Sequence, residues 1–493
     1  MLNWKVRYAK LIRQCPELRN PDRSVLEIGC GPSGIANLLQ RPVQGVELNP
    51  VPPQTEWLKV DQGNILDLPY PDNSFDFVVC VDVIEHLLLA DRPKAIAELA
   101  RVAKGQAIIS CPYDYPGMDG ELALADWLDR RFHARPDWLN EHFQLGLPKV
   151  GEMLSAVAAL GLPFDFFGNE GMLQHYGALM LDLDFSFSAA LESNHQFKTP
   201  CEEPLVASEW DMVYSYGICI HKQAPMIPAY RDMLSPNANK ARESRVGTYA
   251  ALHNRALLAD FGPVAPIFTG EAANQVDASW LTDILSSGER LKNNRWSEMS
   301  ALYKVWREGP VTEVVGFFHY RRFFDFSIPG NQEYRTVISP AEVAACNKNF
   351  LHDGLHGDCL NGTVIIPFPT PLKYTPFNHY ATYHNAHDLC KIITLIAKKA
   401  PELLPYTGNL FNGDSLYSHN MFIMGWDLFD QLCKVWFGLL LDFEAMVAAD
   451  RANSYQNRDI SFLAERVFDI WIRYAADHLS ARLVSTTMYF VEH

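Results

Sequence analysis

Two stretches of the chain carry residue types whose spacing can do chemistry. In the first, Glu27 stands two positions before Gly29-Cys30-Gly31-Pro32-Ser33-Gly34, and Glu47 follows 18 positions after Gly29. Glycines at a strand-to-helix turn let backbone N–H groups approach a nucleotide-like ligand, and an acidic residue at that separation accepts hydrogen bonds from ribose hydroxyls. In the second, the apolar run Val314-Val315-Gly316-Phe317-Phe318 ends in His319-Tyr320-Arg321-Arg322. Adjacent guanidiniums at a strand end make a clamp for phosphate or carboxylate. The same pair also reads as the solvated close of a sheet.

The elements that must position these residues follow from the pattern around them. Ser24–Ile28 is a short β-rich strand, Ile35–Leu39 reads as a helix, and Gln44–Leu48 as a second strand, so the glycines sit in the first turn of a βαβ unit. Asn64 opens a turn before the strand Phe75–Val79, and Met212–Lys222 alternates like a closing strand. Residues 226–245 combine Pro228, Pro236, Asn237 and Asn239 with several charges and little periodicity, which marks a linker between a domain at 1–225 and one at 246–493. In the second block, Lys292–Trp306 has helical spacing with Asn293 or Asn294 as cap, and Arg458–Tyr474 also suits a helix. The fold class expected is α/β throughout.

Composition narrows the function. The 493 residues, 48% hydrophobic and 12% aromatic, suffice for more than one core. A formal charge of -16 argues against coating nucleic acid, which needs a dense cationic face. The ten cysteines show no C-x-x-C spacing, so neither a zinc site nor a disulfide framework is expected. His384, His387 and Asp388 are close enough to consider as a metal set, but Tyr380, Tyr383 and Asn385 favour a polar, aromatic groove, and no metal is assigned. No signal-peptide core or membrane-length apolar run is evident, and the expected location is cytoplasmic.

Residues 20–115, on Glu27-Ile28-Gly29-Cys30-Gly31, Asp82-Val83-Ile84-Glu85-His86-Leu87 and the strand Ala107–Ser110, resemble the class I methyltransferases. That resemblance implies a Rossmann-like sheet and S-adenosylmethionine as cofactor. Glu27, Gly29, Gly31 and Gly34 would line the methionine and ribose side, Glu47 would take the ribose hydroxyls, and Asp82 would complete the site. Asn64 stands where the family usually has an aspartate for the adenine amino group. His142, in a segment resembling the acceptor side of small-molecule methyltransferases, is a candidate general base because imidazole titrates near neutral pH. A nicotinamide site in an oxidoreductase remains an alternative for the glycine turn.

The run Asn293-Asn294-Arg295-Trp296-Ser297-Glu298, the His319–Arg322 strand end, Ser418-His419-Asn420 and Tyr455–Arg466 resemble a glycosyltransferase family of bacterial capsule and O-antigen gene clusters. The resemblance covers about 246–490 and implies a GT-A-like domain using a nucleotide-diphospho-sugar, a UDP-sugar being the expected donor and galactofuranose one example of the sugar. Donor contacts would come from His253, Asn254, Asn294, Glu298, Tyr320, Arg321, Arg322, Asn420 and Arg458, and acceptor contacts from His379 and His387. No Asp-x-Asp follows the strand; His319, Arg321 and Arg322 stand there, so transfer without a metal is expected, with His319 at the reacting centre. Asp459 or Glu465 would be the base for the acceptor hydroxyl.

The expectation is a two-domain enzyme of surface-polysaccharide synthesis, adding a sugar to a glycan or lipid-linked glycan and methylating a glycan hydroxyl. It binds no nucleic acid; lipid-linked acceptors or assembly partners would draw it to the inner face of the cytoplasmic membrane. A non-catalytic scaffold in such an assembly is the alternative, favoured by Asn64 and the missing Asp-x-Asp.

Overall fold

A computed structural model describes residues 2–183, 213–223, 229–242, 244–254, 263–276, 281–319, 321–325, 334–339, 342, 353–447 and 456–491. The chain forms two compact units, Met1–Ile227 with Tyr380–Asn412, and Pro228–His379 with Gly413–His493. The segment 380–412, placed by sequence in the C-terminal domain, therefore packs with the N-terminal unit.

The first unit is built on strands β1 (Val25–Ile28), β2 (Val43–Glu47), β3 (Leu58–Gln62), β4 (Phe75–Val81), β5 (Ala103–Pro112), β6 (Phe164–Gly171) and β7 (Val213–His221). Their order is β3-β2-β1-β4-β5-β7-β6. The first five are parallel, and β7 inserts antiparallel between β5 and β6. This is a Rossmann-like sheet. Strands covered on both faces need continuous apolar runs, which explains why β1 is buried at every position. The connection direction reverses between β1 and β4, so the crevice expected of such sheets opens there, beyond the carboxyl ends of those two strands.

Strand β6 lies at the edge, where unpaired backbone groups would face solvent. The helix Ala386–Lys399 covers it, with Ile392, Ile393 and Ile396 buried. Thr394 does the work of a missing strand. Its Oγ1 accepts from the Phe166 N–H at 2.8 Å and lies 3.2 Å from the Phe166 carbonyl, to which it donates. Lys398 and His221 both pair with Asp165 on the same strand. Helical periodicity says that residues 386–399 have an apolar face but not which sheet that face covers, so the sequence boundary missed this exchange.

The second unit has β8 (Ser244–Leu252), β9 (Ala265–Phe268), β10 (Leu281–Thr282), β11 (Thr312–His319), β12 (Arg322–Asp325), β13 (Tyr334–Ile338), β14 (Thr363–Pro367), β17 (Phe422–Gly425) and β18 (Arg482–Val491) in one sheet; β15 (Thr370–Pro371) and β16 (Ser415–Leu416) form a small separate pair. Strands β10, β9, β8 and β11 run parallel, so β8, β9 and β11 all end at one edge. Antiparallel β17 and the β12–β18 ladder extend the sheet on the other side. Helices Trp426–Met446 and Asp459–His478 pack together, with Trp436 stacked on Phe468 and Trp296 and Trp306 on Phe437.

Replacing Thr394 with Val keeps the volume and removes both bonds to Phe166. This is expected to cost about 1–3 kcal/mol, because two backbone groups lose their partner. Hydrogen exchange at the Phe166 amide, accelerated in the variant, checks it; unchanged protection would overturn the edge-capping role.

Candidate functional site

In the first unit the glycine turn closes over Glu27, which is fully buried. Glu27 accepts from the Tyr8 hydroxyl at 2.7 Å and from the Ile35 N–H at 2.8 Å, so it ties the N-terminal helix Leu2–Gln14 to the turn. Burial pushes its carboxyl up to about 7, helped by the charge on Glu47 and opposed by the Tyr8 and Ile35 bonds. Gly29 and Gly34 both have positive φ, and an added Cβ would collide with Val83 at the first and with the Glu27 carboxylate at the second. Glu47 receives the Gly31 N–H at 2.5 Å. Asn64 is exposed and turns its Oδ1 back onto the Leu66 N–H at 2.9 Å, which leaves its amide nitrogen as a donor toward a ring nitrogen.

Asp82 directly follows β4 in a left-handed conformation, φ 53°, and pairs with Arg7 at 2.6 Å. A non-glycine residue held there is strained, and such strain gathers at functional sites. Burial raises its carboxyl, while Arg7 acts the other way. His142 is buried, with Nδ1 2.8 Å from Glu121 Oε1 and Nε2 without a partner among the described residues.

The second unit contains a cleft of about 920 Å³ at the shared edge of β8, β9 and β11, whose following residues His253 and Thr269 and last residue His319 line it. The opposite wall comes from Asn294, Ser297 and Glu298, and from Arg458, Ser461 and Glu465. Arg458 donates to Ser297 Oγ at 3.2 Å. Arg322 lies 3.5 Å from His319 Nδ1 and stacks 5.5 Å over Phe490, its Nε buried and without a hydrogen-bond partner among the described residues. Ser297, His419 and Asn420 all have positive φ. The Asn420 amide donates to Glu298 at 2.9 Å, and the His419 N–H donates to Glu465 at 2.9 Å.

The electrostatics of the cleft favour an anion. His319 is held well below its usual range by burial first, then by Arg322 and neighbouring cations. His419 falls to about 3 by burial and Arg322, and His253 and His379 are lowered by burial and the nearby Arg458 and Arg466, respectively. All four imidazoles are thus shifted toward the neutral form in a cleft that also holds the guanidiniums of Arg322 and Arg458. Glu298 is raised by burial, more than its Asn420 bond lowers it.

The structure gathers His253, Asn294, Glu298, His319, Arg322, His379, Arg458 and Glu465 at this cleft, and Asn420 just behind Glu298. It does not bring Asp459 to the wall: that carboxylate is buried in a two-point ion pair with Arg295, at 3.1 and 2.7 Å. Arg321 and Asn254 are not among the lining residues, and Arg321 rests 6.0 Å over Phe490. Tyr320 lies outside the described residues. Of the two histidines expected at the acceptor, His379 lines this cleft. His387 belongs to the first unit, 3.3 Å from Lys10, and burial drops it to about 3. Sequence reading missed Ser297, Thr269 and His419. For Ser297 the expected single helix hides the signal, because Asn293–Trp296 and Met299–Glu308 are two helices broken at that residue.

Comparison with known proteins finds one family match in each half of the sequence, and the second runs through 380–412, the segment that packs with the first unit. Residues 26–111 match the family described as a methyltransferase domain, and residues 248–476 match a domain of unknown function, DUF4422. The chain is 33% identical over 107 residues to ajmaline N-methyltransferase of Rauvolfia serpentina, covering 18% of this chain and 34% of that protein. It is 30% identical over 133 residues to a probable methyltransferase, ltbC, of Aspergillus luteorubrus, covering 22% and 42%. The chain thus spans about a third to two-fifths of the length of these curated relatives. Among solved structures it is similar to the WbbM bifunctional glycosyltransferase in its apo form, with 22% identity and a TM-score of 0.44 over 50% of this chain and 46% of that one. The N-terminal unit therefore carries a methyltransferase domain at 26–111, and the C-terminal unit a DUF4422 domain.

Two outcomes follow from these geometries. A Glu27 carboxyl whose folded value is about 7 against an ordinary 4.5 keeps a proton that the unfolded chain gives up, so stability falls as pH rises between those values. The loss is about 3 kcal/mol for that one group, and Glu27→Gln is expected to flatten it in ligand-free unfolding measured from pH 4.5 to 7.5. Asp459→Ala leaves Arg295 buried and short of its main partner and is expected to cost about 3–5 kcal/mol in urea unfolding. Unchanged stability with lost turnover would return Asp459 to a catalytic role.

Proposed function

We propose that the chain is a bifunctional transferase of surface-polysaccharide synthesis. The second unit transfers a sugar, galactofuranose being one candidate, from a nucleotide-diphospho-sugar to a glycan or lipid-linked glycan. The first unit methylates a glycan hydroxyl with S-adenosylmethionine. The observation that carries the transferase reading is the cleft where Arg322 and Arg458 face a ring of neutral histidines at the carboxyl edge of three parallel strands. A leaving diphosphate needs its growing charge neutralised, and two fixed guanidiniums do this without a metal. Arg322, whose buried Nε has no partner among the described residues, takes the diphosphate; His319 stays neutral and orients Arg322.

Of the two carboxylates on the wall, Glu465 is committed to Arg466 at 3.0 Å and to the His419 N–H. Glu298 keeps an oxygen toward His319 at 3.9 Å, and burial raises its pKa, which makes its carboxylate a stronger base for an acceptor hydroxyl. Glu298 is therefore the assigned base and Glu465 the support of the 418–420 turn. In the first unit, the glycine turn at the switch point and the methyltransferase-domain match support cofactor binding along Gly29–Gly34, Glu47 and Asn64.

Arg322→Ala is expected to weaken nucleotide-diphospho-sugar binding by about 2–4 kcal/mol, whereas Glu298→Gln lowers turnover and leaves donor binding in place. Calorimetry and donor hydrolysis across a panel of nucleotide sugars read both effects. EDTA is expected to leave sugar transfer intact. If the wild-type protein binds none of the panel, the transferase reading fails.

A further inference from the structure

Where β4 ends, the 3-10 turn Ile84–His86 presents Glu85 and His86 at the carboxyl edge of the sheet, beside the β1 glycine turn. The helix Asp137–Leu145 packs on that turn and brings His142 to it, with imidazole centroids 4.9 Å apart. One ligand atom from each of Glu85, His86 and His142 lies within 4.8 Å of the other two.

Both imidazoles are prepared in the same way. His86 Nδ1 meets Glu141 Oε2 at 2.8 Å, and His142 Nδ1 meets Glu121 Oε1 at 2.8 Å, an oxygen that also accepts from the Tyr214 hydroxyl at 3.1 Å. A carboxylate on Nδ1 fixes that nitrogen as the donor and leaves the Nε2 lone pair to bind, which is how metal-ligating histidines are held. His142 Nε2 has no partner among the described residues, although the side chain is only 3% exposed. Glu85 Oε2 has none either, in a side chain 1% exposed. A buried carboxylate oxygen and a buried imidazole nitrogen left unpaired in one cluster are costly unless something occupies the space between them.

We propose that Glu85, His86 and His142 bind a divalent cation in the methyltransferase unit, and that its open positions take the adjacent hydroxyls of a sugar acceptor. Two imidazoles and one carboxylate suit a first-row ion such as Mn²⁺, Co²⁺ or Zn²⁺ better than an all-oxygen ion, and three protein ligands leave room for substrate oxygens. The proposal rests on the reading of this unit as an O-methyltransferase and names its acceptor class, a vicinal diol. A bound hydroxyl is acidified by the cation. Its O–H proton passes to water, the oxygen bonds to the methyl carbon, and the carbon–sulfur bond breaks with its electron pair kept by sulfur, giving a methyl ether and S-adenosylhomocysteine. Spacing gave no warning of the site, since Glu85 and His86 are adjacent and His142 is 56 positions further on (142 − 86).

The test uses the full chain, freed of metal with EDTA and dialysed. Titration with Mn²⁺ followed by electron paramagnetic resonance is expected to show one tight ion per chain. His86→Ala, at a half-exposed position that tolerates truncation, should abolish it, and Glu121→Gln should weaken it about 10- to 100-fold through His142 alone. Methyl transfer should stop in EDTA and return with Mn²⁺ or Co²⁺, while sugar transfer continues. S-adenosylhomocysteine binding to the metal-free protein, by calorimetry, separates the two layers: its loss in the wild type defeats the methyltransferase reading itself. Retained S-adenosylhomocysteine binding with Mn²⁺, Co²⁺ and Zn²⁺ no tighter than millimolar, or with Mn²⁺ binding unchanged in His86→Ala, overturns the cation site and leaves Glu121–His142 as a proton-accepting dyad.

Discussion

The cleft of the second unit depends on one buried ion pair. Arg295 sits between Asn294 and the left-handed Ser297, and Asp459 opens the helix that carries Ser461 and Glu465. Their two-point contact locks together the two segments that form one wall of the cleft, and Glu444 adds a second carboxylate at 3.7 Å. A buried pair of this kind contributes little net stability over an apolar pair of the same shape, yet it punishes every arrangement in which one partner is left alone. That asymmetry suits a site, because it selects one register of two surface-forming segments. With the walls set, the Ser297 break aims its hydroxyl at Arg458, and the 418–420 turn is held between Glu298 and Glu465.

The first unit solves the same problem with a carboxylate. Glu27 lies under the glycine turn, and its two oxygens reach Tyr8 on the N-terminal helix and Ile35 at the start of the next one. The residue expected to line the methionine side of a cofactor thus also holds the loop that would surround it. Gly34 is needed because the carboxylate occupies the space of its Cβ, so the glycine spacing reports packing against Glu27 as much as room for a cofactor.

Much of this was legible from residue types. The glycine turn and the strand end at His319 are local: each element's period and its terminating polar residues lie within about a dozen positions. What escaped depends on partners far away in the chain. Asp459 looked like a base because a carboxylate near Arg458 and Ser461 has that chemistry, and only the fold shows Arg295, 164 positions earlier, taking it. The two arginines could not be ranked from adjacency: both guanidiniums lie over Phe490, but Arg322 also reaches the cleft beside His319, and Arg321 is not on its wall. The helix at 386–399 shows an apolar face in any reading, but the identity of its sheet is a tertiary fact.

The two units also differ in the sign of the charge they gather, and this constrains what each can hold. Glu27, Glu47, Asp82, Glu85, Glu121 and Glu170 crowd the carboxyl edge of the first sheet, and the Glu85 carboxyl is driven well up by burial and by its neighbour Asp82. Such a cluster repels an anion and lowers its own energy by taking a cation, whether a sulfonium or a divalent ion. The second unit does the reverse: its histidines surrender their protons to burial and to Arg322 and Arg458, leaving guanidiniums that only an anion satisfies. The overall charge of -16 is therefore no guide to either site. The same physics therefore favours an anion in one unit and disfavours it in the other.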